Sequence, residues 1–213
     1  MKTITKEYKV YNYSELSEEA KEKAKQWYLD DDFKPMEFTH IYMEDLRYLF
    51  PNSDLKMQYS LNYCQGDGLN IYGNLDVNDV IARITENIAD ESMEKFVNAL
   101  TEKEIKTIKA YMEVCGKEIE LPYNNGHYEY CIADRTDFAE EWIEELEYQM
   151  YKNIQVNTIR KLEKIVKEMF TTMSMQYEKY GYEFFYEVDD DTMTEVCEVN
   201  EWMFLEDGTF FAA

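Results

Sequence analysis

Apolar residues recur along this chain with two periods, about two and about three and a half, and the alternation between them lays out the elements. Residues 4–11 (Ile-Thr-Lys-Glu-Tyr-Lys-Val-Tyr) alternate and are β-branched or aromatic, which predicts a strand. Ser17 followed by Glu18 and Glu19 is a helix start, because the Ser caps and the acids meet the positive end of the dipole. That helix runs to about Asp30, with Ala20, Ala24, Trp27 and Tyr28 as its apolar stripe. A second helix is predicted over 37–50 from Ile41, Leu46, Leu49 and Phe50, closed by Pro51-Asn52. Leu55, Met57, Tyr59, Leu61 and Tyr63 then alternate strictly. Gln65-Gly66-Asp67-Gly68 and a second apolar run, Leu69 to Leu75, complete a β-hairpin.

Helical patterning follows over 77–89 and 92–115, with Thr101-Glu-Lys-Glu104 in the form of a capping box. Lys117–Tyr123 and His127–Ala133 flank Asn124-Asn125-Gly126, a strong turn signal, and predict a second hairpin. From Thr136 a long helical region extends to Tyr180. Its first half buries Phe138, Trp142, Leu146 and Met150; its second half repeats Ile159, Leu162, Val166, Met169 and Met173 at steps of three and four. Such a seam packs inside a bundle or joins two copies of the chain. The fold expected is one α+β domain over 1–213: an antiparallel sheet of about four or five strands packed against several helices.

Charge changes the picture. The 213 residues hold 45 acids and 22 bases, a net of −23. A surface this acidic is not built for general nucleic-acid binding, which needs Lys and Arg, and the same sign disfavours anionic membranes. Aromatics at 15 % argue against disorder. No stretch approaches the length of a membrane span, and the start of the chain lacks the apolar run of a signal peptide. A cytoplasmic protein with reduced thiols is therefore expected: Cys64, Cys115, Cys131 and Cys197 show no metal-knuckle spacing.

The acidity is blocked. Residues 134–148 carry seven acids and one base, residues 149–182 three acids and six bases, and residues 183–213 ten acids and no base. The last block interleaves its acids with Phe184, Phe185, Val188, Trp202, Phe204 and Phe210, so it is expected to fold back onto the body.

Catalytic motifs are few. His40 and His127 lie 87 residues apart, and no nucleophile elbow, phosphate loop or zinc-protease pattern occurs. Cys64 beside the glycine-rich hairpin has no recognisable base nearby in sequence. Asp67 and Asp189-Asp190-Asp191 are the candidate ligands for a hard cation, but the spacing of an EF-hand loop is missing, and no metal or cofactor is assigned. Asp67 either shapes a turn or is presented to a partner. On the helix after Thr136, Asp137, Glu140, Glu141, Glu144, Glu145 and Glu147 gather on one side and the apolar residues on the other. Carboxylates one turn apart repel by a few tenths of a kcal/mol. A row of them either keeps the surface solvated or imitates a phosphate edge before a basic groove.

Several segments together resemble one family. Tyr13-Ser-Glu-Leu-Ser-Glu-Glu-Ala-Lys-Glu-Lys-Ala-Lys-Gln-Trp-Tyr28 is similar to the opening of small phage- and prophage-encoded proteins. The strand leading into Gln65-Gly66-Asp67-Gly68, the Gly126-His127-Tyr128 segment, and the closing Glu198-Val-Asn-Glu-Trp-Met-Phe-Leu-Glu-Asp-Gly208-Thr-Phe follow in the same order. That family is sometimes labelled antitoxin and hands over no catalytic residues. The resemblance implies a mobile-element origin and a counter-defence role of the anti-CRISPR kind. The expected partner is a basic host protein, a type II CRISPR effector nuclease or its guide complex. The expected contacts are Asp137, Glu140, Glu141, Glu144, Glu145 and Glu147, then Asp189, Asp190, Asp191 and Asp67. An antitoxin that neutralises a toxin partner, and a metal-dependent nucleic-acid enzyme, are the alternatives.

Overall fold

The computed structural model describes residues 1–2, 6–86, 91–123 and 136–212. The fold is α+β. The chain forms two compact units: Met1–Phe38 with Gly181–Ala213, and Thr39–Tyr180.

In the first unit a 3-10 turn at Tyr13–Glu15 leads into α1 (Glu18–Leu29), where Ser17 Oγ accepts from the Ala20 amide at 3.3 Å. Further along lie the first turn of α2 (Lys34–Leu49) and, from the other end of the chain, α8 (Asp190–Val199) and the strands β4 (Met203–Phe204) and β5 (Phe210–Phe211). Tyr13, Leu16, Ala20, Ala24, Met193, Cys197 and Phe204 form the core. The closing acidic segment is thus folded into a core with the N-terminal helix. Its Asp-Gly turn has a specific cause: Gly208 sits at φ +81°, and a Cβ there would stand 2.1 Å from the Ala20 carbonyl oxygen. Only glycine lets the turn lie against the small face of α1.

Of the strand expected over 4–11, the described residues form one bridge, Tyr11 against Phe204, with N–H···O distances of 2.8 and 2.9 Å. Residues 6–9 are exposed and pair with no strand among the described residues; residues 3–5 lie outside them. The partner β4 is two residues long, so it offers nothing to extend the ladder.

The second unit holds the sheet β1 (Asp54–Ser60), β2 (Gly68–Asp76), β3 (Glu118–Leu121), antiparallel in that order, with Met57 opposite Ile71 and Leu75 opposite Ile119. The first hairpin is as expected, except that pairing stops at Ser60 and Tyr63 is a left-handed, exposed loop residue. Leu55, Leu69, Ile71, Leu75, Ile119 and Leu121 are buried. Asp76 caps α3 (Val77–Thr85) through the Asn78 amide, and Val77, Val80, Ile81 and Ile84 give that helix its buried face. In α2 the buried apolar positions are Phe38, in the part of the helix that belongs to the first unit, and Leu46 and Leu49, with Phe50 just beyond; Ile41, expected inside, is 45 % exposed.

The helix expected over 92–115 is interrupted. A short α4 (Glu91–Glu94) stops before Asn98 at φ 61°, and α5 (Glu102–Cys115) restarts at the Thr101–Glu104 capping box. The strand expected over 127–133, with His127 and Cys131, lies outside the described residues. The long region from Thr136 is likewise two helices, α6 (Phe138–Tyr148) and α7 (Val156–Tyr186). Between them Met150 and Asn153 take positive φ, and Tyr111 accepts the Gln155 amide at 2.7 Å. Met150, expected in the core, is exposed because it falls in this break. Phe138, Trp142 and Leu146 are buried as expected, and so are Ile159, Leu162, Val166, Met169 and Met173. That seam is used up inside the single chain, which removes it as a surface for a second copy.

Candidate partner-binding surface

Sorting on α6 is complete. Phe138, Ala139, Trp142, Ile143 and Leu146 are buried, whereas Asp137, Glu140, Glu141, Glu144 and Glu147 are exposed and Glu145 is half-buried. At about 100° per residue the acids span one arc and the apolar residues the other. The N-terminus of this helix is satisfied from α7: Glu163 accepts the Ala139 amide at 2.8 Å, while the Asp137 carboxylate makes no capping bond. Arg160 pairs with Glu140 at 2.8 Å, and Glu145 accepts from Gln149 at 2.8 Å. Among the described residues Asp137, Glu141, Glu144 and Glu147 join no ion pair.

Acids from elsewhere extend this face. A cavity of about 440 Å³ opens beside α6, lined by Glu118 and Glu120 of β3, Glu141 and Glu145 of α6, and the rings of Phe138 and Trp142. Sequence reasoning passed over Glu118 and Glu120, although the signal was present: along β3 they alternate with buried Ile119 and Leu121, so both point away from the core. Cys115 closes the wall, donating to the Trp142 carbonyl at 3.6 Å, with burial pushing its thiol up to about 11.

The other expected contacts have internal work. Asp67 accepts from Ser60 Oγ (2.8 Å), the Asn62 amide (2.6 Å) and the Cys64 amide (2.9 Å), which ties the Gly-Asp-Gly loop together. Desolvation opposes its charge, but these bonds hold it below the usual carboxylate range. The exposed Cys64 thiol donates to the same carboxylate at 3.1 Å, and that bond raises the thiol's pKa, the opposite of what a nucleophile needs.

Asp189 caps α8 through the Thr192 amide at 2.6 Å. Asp190 accepts from Tyr13 at 2.9 Å and pairs with Lys25 at 2.6 Å and Lys21 at 3.4 Å. The bonds from Lys25 and Tyr13 bring its carboxyl down to about 2. Of the three, Asp191 alone has a carboxylate with no described bond, and it is exposed, although its amide bonds to Asp189. The site residues therefore fall into separate places: the α6 acids gather on one surface of the second unit, Asp67 stays inside its own loop, and Asp189 and Asp190 are structural in the first unit.

His40 is exposed on α2, and Cys197 is buried, its thiol raised to about 11 by burial. Among the described residues no three His, Cys, Asp or Glu side chains come together as a metal site, and no helix is long and apolar enough to cross a membrane. Comparison with protein-family models, with curated proteins and with solved structures finds no match.

Proposed function

We propose that this protein is a stoichiometric inhibitor that occupies a basic nucleic-acid channel of another protein with the acidic face of α6. The resemblance of its sequence to phage proteins makes the intended partner a host type II CRISPR effector nuclease or its guide complex, met in the bacterial cytoplasm. On this reading the protein acts by occupancy, without a catalytic step or a cofactor of its own.

The observation that carries the reading is the density of unneutralised charge on a rigid element. With Glu140 compensated by Arg160, five acids remain between Asp137 and Glu147. At 1.5 Å rise per residue they lie along about 15 Å, a mean axial spacing of ~4 Å between charges. A nucleic-acid single strand carries one every ~3.4 Å and a duplex one every ~1.7 Å. The face thus imitates one strand better than two. Glu118 and Glu120 broaden it. Such a surface steers toward a basic groove and gives association that weakens with salt.

The test is capture of CRISPR effector complexes from a bacterial lysate at low and high salt, using the wild type and the triple variant Glu141→Lys, Glu144→Lys, Glu147→Lys. All three positions are exposed, so the fold is expected to survive. The expected result is recovery of a basic nuclease at low salt, lost at high salt and lost in the variant. Undiminished capture of the nuclease by the triple variant removes the mimicry. Recovery of a small toxin-like protein instead moves the assignment to an antitoxin.

A further inference from the structure

The first unit carries a pocket that neither the α6 face nor the fold accounts for. It measures about 720 Å³, within the usual range for ligand sites. Its walls are Trp27, Tyr28, Phe33 and Trp202, and its rim is the run Asp30-Asp31-Asp32 between α1 and α2. One face of Trp27 is covered by Phe210, stacked at 4.1 Å and 9°, and Trp202 meets it edge-on at 5.1 Å. The indole is nevertheless 36 % exposed, and Phe33 is 69 % exposed. Large aromatics left in water on so polar a chain mark a contact surface.

Charge decides what fits. Asp30 accepts from Gln26 at 2.8 Å and Asp31 from the Phe33 amide at 2.9 Å, each through one oxygen, and Asp32 makes no hydrogen bond among the described residues. The one base lining the pocket, Lys23, is held by Asp207 and by Thr209 Oγ1, both at 2.7 Å. Aromatic faces are the negative pole of their quadrupole. A second cation, Lys34, already lies over the Tyr28 ring at 4.3 Å and interacts with Asp31, so the uncompensated part of the pocket is Asp30, Asp32 and the rings of Trp27 and Phe33, which form a receptor for a positive group with a flat apolar surface. Guanidinium meets that description better than ammonium: it is weakly hydrated, stacks on rings and offers a planar fork to carboxylates.

We propose that this pocket is the docking site for an arginine side chain presented by a partner protein. Arginine in a desolvated aromatic pocket is a recurrent anchor of protein interfaces. An anion is repelled by the rim, and a neutral apolar side chain would leave Asp30 and Asp32 beside it without a counter-charge.

The probe is acetyl-Gly-Arg-Gly-amide, titrated while the tryptophan indole N–H resonances are followed, with the Gln peptide and tetramethylammonium as comparisons. Saturable shifts of Trp27 and Trp202, with Trp142 unmoved, are the expected result. Asp32→Asn and Phe33→Ala, both at exposed positions, are each expected to weaken the response several-fold. No shift with the Arg peptide, equal shifts with the Gln peptide, tighter binding of tetramethylammonium, or two variants that titrate like the wild type would each overturn the proposal. The titration uses no partner and no α6 residue, so its failure leaves the α6 reading standing, and the reverse also holds.

Discussion

Gly208 and Asp190 show how single residues hold the first unit together. Gly208→Ala forces a side chain to φ +81° and into the Ala20 carbonyl, 2.1 Å from the new carbon. A loss of ~2 kcal/mol or more is expected, read as a lower urea midpoint with unchanged slope. Asp190 binds Tyr13, Lys21 and Lys25, and its carboxyl titrates at about 2 against an ordinary 3.8. A carboxyl depressed on folding adds stability above its unfolded pKa and loses it as pH falls through the folded value. Wild-type stability should therefore drop between about pH 4 and pH 2, and Asp190→Asn should flatten that part of the profile. Parallel urea midpoints across that window check it; identical slopes in both proteins would show that Asp190 contributes nothing there.

Among the elements, α7 and α6 divide the labour. The seam Ile159, Leu162, Val166, Met169, Met173 is at most 1 % exposed within one chain. Leu162→Ala should therefore cost about 2–5 kcal/mol, the usual cost of a buried truncation. The loss should be independent of protein concentration, since a dimer interface would make it concentration-dependent. The bases of the same stretch act as neutralisers. Lys161 pairs with Glu104 at 2.9 Å, Lys167 with Glu163 at 3.0 Å and Arg160 with Glu140 at 2.8 Å. The mildly basic block is thus local compensation, while the acids of α6 that face away from α7 keep their field.

At the scale of the whole molecule, a net charge of −23 works against the compact state by self-repulsion. Raising NaCl from about 0.01 M to about 0.1 M shortens the Debye length from ~30 Å to ~10 Å. The thermal midpoint is expected to rise over that range, while capture of a basic partner weakens. Opposite signs for the two responses would tie the same charge to both effects; a fall in the midpoint with salt would show that attractive pairs outweigh the repulsion.

Much of this was legible in the order of residues. The cap at Ser17, the capping box at Thr101, the first hairpin and the seam of α7 depend on spacing and local chemistry, and each stands where the pattern puts it, except that the hairpin's first strand ends at Ser60 rather than at Tyr63. The amphipathic division of α6 was also readable, because helical geometry alone separates its acids from its apolar residues. What periodicity could not carry were the breaks and the pairings. Met150 and Asn153 turn left-handed in a stretch whose hydrophobic rhythm continues, since Tyr111, more than forty residues earlier, pins Gln155 there. Among the described residues of the alternating run at 4–11, Tyr11 alone forms a bridge, because its partner strand is two residues long. Acidity in the sequence likewise does not reveal which carboxylates are already bonded. Asp67, Asp189 and Asp190 read as free charge until the fold brings amides, a tyrosine and lysines to them. Short-range spacing sets helices, turns and faces; contacts between residues far apart in the chain settle which of those charges stay open to a partner.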